Sequence, residues 1–207
     1  MNGIGVIGAG QMGAGIAQVS AGAGYRVWLS DIDFETAERA KEHIAAQLGK
    51  LVEREKMEAQ ARETLLDRIE PVGSLEPMAS AGMVIEAATE REDIKRKIFE
   101  DIGKVLGHKA ILASNTSSIS ITGLARSAPD PERFIGVHFF NPVPLMGLIE
   151  VIRGLATSGE TVKTVETYAN ALGKRTVHAN DAPGFIVNRV LLPMLNEACF
   201  ALGEGVA

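Results

Sequence analysis

In the stretch HFFNPVPLMGLIEVI an imidazole, His138, closes one apolar run and a carboxylate, Glu150, sits inside the next. A turn rich in Pro and Gly separates the two runs, so an antiparallel turn-back would carry the acid beside the base. A buried carboxylate is costly without a partner, and an imidazole is a partner that makes chemical sense. Such a pair fixes the ring's tautomer and stabilises the imidazolium formed when His138 accepts a proton. Flanked by Phe139 and Phe140, His138 could instead be a satisfied core residue, and the acid is what favours chemistry. The remaining histidines, His43, His108 and His178, have surface or packing contexts.

A second constellation lies near the N-terminus, where Gly8-Ala9-Gly10-Gln11-Met12-Gly13 matches G-x-G-x-x-G. The first glycine permits a tight turn, the second lets backbone approach a pyrophosphate, and the third lets helix pack closely on strand. Unpaired N–H groups and a positive dipole at the following helix end suit an anion. The motif alone is weak, but here it lies between a strand and a helix, and Asp31 ends the next strand about 20 residues on. A carboxylate accepts from a ribose 2′-OH and repels a 2′-phosphate, so NAD is expected over NADP. Asp31 fits that role better than Asp33, which is placed to cap the following helix.

The elements that must position these groups read as an alternation. GIGVIG and YRVWLSD are strands flanking a small-residue helix, a βαβ unit whose strands should be parallel. A long amphipathic helix with Ala37, Ala40, Ile44, Leu48 and Leu51 on one side, then a piece from Ala59 to Arg68, predict a helical hairpin over about 34–68. After Pro71 come the strand MVIEAA, a helix with Ile94, Ile98, Ile102 and Val105 inward, and the strands AILASNT, RFIGVHFF, LIEVI and RTVHA. The fold class is α/β: a Rossmann-like, mostly parallel sheet over 1–183 with the hairpin inserted. Residues 184–207 read as the first part of a truncated C-terminal helical domain, because this last helix has more apolar surface than the sheet could cover.

In a parallel sheet, ligands bind beyond the carboxyl ends of the strands. Glu90, Asn115, Ser117, His138 and Asn141 all fall there. Each has an ordinary alternative: Ser117 or Ser118 as a helix cap, Asn141 before Pro142 as a turn residue. Their clustering on one edge favours a site.

Composition narrows the class. With 46% apolar and 23% charged residues the chain is an ordinary globular protein, and its net charge of −5 argues against nonspecific nucleic-acid or anionic-membrane partners. No apolar run is long enough to span a membrane and no leader is read, so a cytoplasmic location is expected. Cys199 is the sole cysteine, expected to be packed; no metal site is expected.

Taken in order, GVIGAGQMGAGIAQVSA, EAATE, SNTSSISI, HFFNPVPLMGLIEVI and DAPGFIVNR resemble the successive motifs of the L-3-hydroxyacyl-CoA dehydrogenase family, nearest to its bacterial 3-hydroxybutyryl-CoA branch. The resemblance covers essentially the whole chain. It implies reversible oxidation of an acyl-CoA 3-hydroxyl by NAD, with His138 as general base, Glu150 orienting it, Ser117 bonding the substrate oxygen and Asn188 helping to hold substrate. It also places Glu90, Lys95, Asn115 and Asn141 around the cofactor, and brings the hairpin near the CoA moiety. Lys50, Arg54 and Lys56 could there meet CoA phosphates; a solvated face neutralised by Glu53 and Glu55 stands equally open. Family members continue into a helical domain that completes the acyl pocket and forms a homodimer, and most of it is expected to be missing after GEGVA. Rival readings are a β-hydroxyacid dehydrogenase with a catalytic Lys, which would lack HFFNP and Glu150, and a noncatalytic dinucleotide-binding module.

Overall fold

The computed structural model describes residues 3–206; the ends of the two expected segments, at residues 1, 2 and 207, lie outside the described residues. β1 (Ile4–Ile7), α1 (Gln11–Gly22) and β2 (Val27–Ser30) form the first βαβ unit, with β1 and β2 parallel. The hairpin follows as α2 (Phe34–Glu53) and α3 (Ala59–Leu66). Asp33 caps α2 through the Thr36 amide at 2.7 Å, as its short carboxylate before an apolar repeat predicts.

Next come β3 (Ile69–Val72), β4 (Met83–Glu86), α4 (Glu92–Gly103), β5 (Ile111–Ser114), α5 (Ile121–Leu124), β6 (Phe134–Phe139) and β7 (Leu148–Arg153). The chain ends with α6 (Gly159–Ala171), β8 (Arg175–Asn180) and α7 (Val187–Gly203). One sheet of eight strands runs β3-β2-β1-β4-β5-β6-β7-β8, all neighbours parallel except β6 with β7. Strand order reverses between β1 and β4, so a crevice opens above their carboxyl ends.

Apolar side chains fill both faces. On one, Ile16, Ala40, Ile44 and Tyr168 from α1, α2 and α6 cover Val6, Ile85 and Val137; on the other, Met78, Phe99 and Leu124 cover Val84 and Leu112. Strands β1, β4, β5 and β6 are buried along their whole lengths, and each buried Ile, Leu or Val contributes roughly 1.5–3 kcal/mol.

Three expectations are corrected. The sequence reading has no strand at Ile69–Val72, because IEPV is short and holds a proline; it forms the sheet edge, where a missing N–H is tolerated. On α4 the inward residues are Lys95, Phe99 and Ile102, whereas Ile94 is exposed. The helix is rotated so that Lys95 meets a buried acid on β4. Cys199 is exposed rather than packed, since α7 leaves the sheet and has no buried residue.

Candidate active site

The glycine turn occupies the crevice. Gly8 has φ +99°, and a Cβ there would come within 2.5 Å of the Ala88 Cα. A Cβ on Gly13 would sit 1.7 Å from the Gly8 carbonyl oxygen, so helix and strand could not approach as they do. At Gly10 nothing lies within 4 Å of the same position, leaving open space beside the helix end. No side chain caps α1 and no acid stands in its first turn, so the amides of Gln11 and Met12 face the crevice without a competing carboxylate. Asp31, at the tip of β2, accepts from the Ala9 amide in the turn and from the Ile32 amide at 2.7 Å. Its carboxylate is thereby fixed beside the turn. These features fit a dinucleotide: a small-residue turn, free helix amides and an acid at the ribose position.

Register brings the second constellation together. β6 and β7 pair antiparallel with His138 directly opposite Glu150, and the His138 Nδ1 lies 2.7 Å from the Glu150 Oε2. The other carboxylate oxygen, Oε1, accepts from the backbone amides of Ile186 and Val187 at 3.0 and 2.9 Å. Glu150 is fully buried, so these three donors replace the water it has lost. With Nδ1 donating to the acid, Nε2 is the free lone pair, and it faces the Ser117 Oγ at 3.2 Å. The rings of Phe140 and Phe185 flank the imidazole at centroid distances of 4.7 and 5.8 Å. Glu150, His138 and Ser117 thus form one hydrogen-bonded chain from the interior to the crevice.

Glu90 holds the Ser117 loop. Its Oε1 accepts from Thr116 Oγ1 at 2.6 Å, the Ser117 amide at 2.9 Å and both the amide and hydroxyl of Ser118 at 3.1 Å. Neither Ser117 nor Ser118 caps the next helix; Ser120 does, accepting from the Gly123 amide at 3.1 Å. Asn115 is buried with its side-chain oxygen accepting from the Phe139 amide at 2.8 Å, which ties the end of β5 to that of β6. Asn141 precedes a cis peptide bond to Pro142 and lines the crevice.

Lys95 lies beneath the strand tips rather than along the crevice wall. It is buried and donates to both oxygens of Glu86, at 2.8 and 2.6 Å, with Glu90 Oε2 3.8 Å away. Ser114 Oγ and the Ala88 amide complete the shell of Glu86. The sequence reading missed Glu86 and Ser114. The signal was present: Glu86 interrupts MVIEAA just as Glu150 interrupts LIEVI.

Asn188 lies in the first turn of α7, next to the amide that holds Glu150, and its side chain makes no hydrogen bond within the described residues. Lys50 is in the last turn of α2, Arg54 is its C-cap and Lys56 is in the turn beyond; all three are exposed and distant in sequence from the strand tips. Between α1, α2 and the loop after β6 lies a cavity of about 530 Å³, lined by Gln11, Gln18, Arg39, His43, Gln47 and Pro144 among others. Beyond the end of β8, Asp181 accepts from the Ile121 and Thr122 amides and the Ser120 hydroxyl, each at 2.8 Å. Burial opposes its ionisation, but the hydrogen bonds from Thr122, Ile121 and Ser120 together hold its carboxyl below the usual carboxylate range.

Comparison with known proteins follows the same division of the chain. Residues 3–182 match the family described as 3-hydroxyacyl-CoA dehydrogenase, NAD binding domain, and residues 184–207 match 3-hydroxyacyl-CoA dehydrogenase, C-terminal domain. A probable 3-hydroxybutyryl-CoA dehydrogenase of Deinococcus radiodurans is 50% identical over 98% of this chain and 73% of its own. The 3-hydroxybutyryl-CoA dehydrogenase of Bradyrhizobium diazoefficiens is 48% identical over 98% of this chain and 69% of its own. The crystal structure of (S)-3-hydroxybutyryl-CoA dehydrogenase from Ralstonia eutropha superposes with a TM-score of 0.97 at 45% identity, covering 100% of this chain and 73% of that one.

Proposed function

The chain belongs to the 3-hydroxyacyl-CoA dehydrogenase family, and from that premise we propose how its residues divide the work of the reaction. The activity is the NAD-dependent, reversible oxidation of a short-chain (S)-3-hydroxyacyl-CoA to the 3-oxoacyl-CoA. NAD, bound at the glycine turn, supplies the electron sink for the hydride leaving C3.

His138 is the general base in oxidation and the general acid in reduction. Its Nε2 takes the 3-hydroxyl proton, because Nδ1 is already committed to Glu150. Glu150 holds the ring's orientation and stabilises the imidazolium. Ser117 donates to the substrate oxygen from beside Nε2, and Asn188 holds the substrate from the start of α7. Gly8, Gly10, Gln11, Met12 and Gly13 cradle the pyrophosphate, Asp31 takes the ribose, and Glu90, Asn115 and Asn141 frame the nicotinamide side. Lys95 acts from below by fixing Glu90 and the Ser117 loop. The observation that carries this reading is the Glu150–His138–Ser117 chain opening at the crevice. A noncatalytic module would have no use for a buried acid oriented on an imidazole.

The hairpin is proposed to bind CoA. Thr36, Arg39, His43 and Gln47 line the cavity at helical spacing, and Lys50 and Arg54 carry that spacing onward. The exposed apolar side chains all round α7, among them Val190, Leu192, Met194, Phe200 and Leu202, support a homodimer formed through the C-terminal helical part. The proposed location is the cytoplasm, where charged acyl-CoA and NAD are both retained; no helix among the described residues is long and apolar enough to cross a membrane.

The test is oxidation of NADH with acetoacetyl-CoA, comparing wild type with His138→Gln. Turnover should fall about 10²- to 10⁴-fold with NADH affinity unchanged. An equal loss of both would remove His138 from the base role.

A further inference from the structure

Beyond the catalytic chain lies a buried cation that the mechanism does not use. Lys174 follows Gly173, whose φ of +70° ends α6, and stands just before β8. It is 7% exposed. Its Nζ donates to the carbonyls of Val143 at 2.7 Å and Met146 at 2.6 Å. It takes part in no ion pair among the described residues, and burial alone pushes its pKa down. An ammonium placed in an interior without an acid needs a compensating role in what it holds.

What it holds is the loop after β6. The amides of Leu145 and Met146 both bond the Pro142 carbonyl at 3.0 Å, so residues 142–146 form a compact turn. Lys174 grips that turn at its second and last residues, Val143 and Met146. Asn141, Pro142, Val143 and Pro144 form one cavity wall, and Lys174 does not line it. Val143 is buried against α1 at Gly15, where a Cβ would come within 2.8 Å of the Val143 Cβ. The loop is thus held both by packing at Gly15 and by the Lys174 ammonium.

We propose that Lys174 is a positioning residue for substrate: through the Val143 and Met146 carbonyls it fixes the loop that walls the cavity between α1 and the helical hairpin. The inference rests on the proposal that this cavity admits the CoA portion of the substrate. A hydrocarbon side chain would fill the space and leave the buried Val143 carbonyl and the part-buried Met146 carbonyl without their donor, so the turn would relax away from α1. A misplaced wall weakens substrate capture more than cofactor capture, because the glycine-turn residues that also line the cavity, Ala9, Gly10 and Gln11, are carried by β1 and α1, whereas Lys174 holds only the loop after β6.

The experiment compares Lys174→Met, Lys174→Arg and His43→Glu in the intact protein, reading KM for acetoacetyl-CoA, KM for NADH and thermal midpoint. Lys174→Met should raise the KM for acetoacetyl-CoA about ten- to a hundredfold and leave that for NADH within about twofold, the scale expected of a remote misplacement. Lys174→Arg, which keeps a cationic donor, should recover most of the loss. A lower thermal midpoint with both KM values unchanged, or both raised equally, overturns the proposal. Should Lys174→Met not fold, Lys174→Gln, uncharged but still a donor, is read by the same split. His43→Glu tests the premise separately: no change in the acetoacetyl-CoA KM there means that the cavity is not the substrate's path. A rise with His43→Glu but none with Lys174→Met leaves the path standing and removes Lys174 from it.

Discussion

Glu150 divides its carboxylate, one oxygen on an imidazole and the other on two backbone amides. Glu150→Gln keeps the size, but with its one carbonyl oxygen held by the Ile186 and Val187 amides it turns an NH2 donor toward Nδ1, so the ring presents the wrong tautomer. Turnover is expected to fall about 10²- to 10⁴-fold with NADH affinity retained, measured by steady-state rates and fluorescence titration. At the other end of the crevice, Asp31→Ala should weaken NAD about tenfold, the scale of one charge-assisted hydrogen bond. It should also narrow the preference over NADP; an unchanged ratio of the two KM values would remove Asp31 from the ribose. These residues were legible because each broke a pattern: a histidine closing an apolar run, an acid inside one, an acid at a strand tip. Glu86 broke the same pattern and went unread. Its partner Lys95 lies on a helix whose periodicity, counted by isoleucines alone, pointed a different face inward. Lys174 left no such mark, because the carbonyls it serves belong to the backbone and carry no residue type.

At the level of elements, the alternation of strand, glycine turn and helix was legible because parallel strands are continuous apolar runs. Strand β3 was not, since an edge strand of mixed polarity gives little periodic signal. The rotation of α4 follows from the buried pair on β4, a tertiary demand that outweighs local hydropathy. Replacing Glu86 by Gln would leave the buried Lys95 ammonium with only the part-exposed Glu90 carboxylate, 3.8 Å away, as counter-charge. We expect a loss of roughly 3–5 kcal/mol, seen as a thermal midpoint lowered by about 10 °C or more. A second element-level expectation concerns pH. Asp181 ties the segment after β8 to the start of α5, and its folded pKa lies below the ordinary 3.8. A carboxyl depressed on folding stabilises above its unfolded pKa, and that stabilisation is lost as pH falls through the folded value. The thermal midpoints of wild type and Asp181→Asn should therefore differ most above pH about 5 and draw together as pH falls below the ordinary ~3.9 toward the depressed folded value. A constant gap across that range would show that ionisation of Asp181 is not linked to folding.

Across the whole molecule, the sheet sets where chemistry occurs and α7 sets what surrounds it. The exposed apolar side chains of α7 lead to the expectation that sedimentation of the protein gives a two-chain mass. Leu192→Asp with Leu202→Asp should reduce it to one chain, and a mass unaffected by both changes would place the interface elsewhere. The amides that begin α7 hold the acid that orients the base, after a sharp backbone turn at Gly184 and Phe185, with φ of +78° and +51°. Whatever leans on that helix therefore leans on the imidazole. Any partner's contact with that helix would share a single mechanical joint with proton transfer, and a molecule disturbed at its C-terminal end would lose the aim of its base while still gripping its nucleotide.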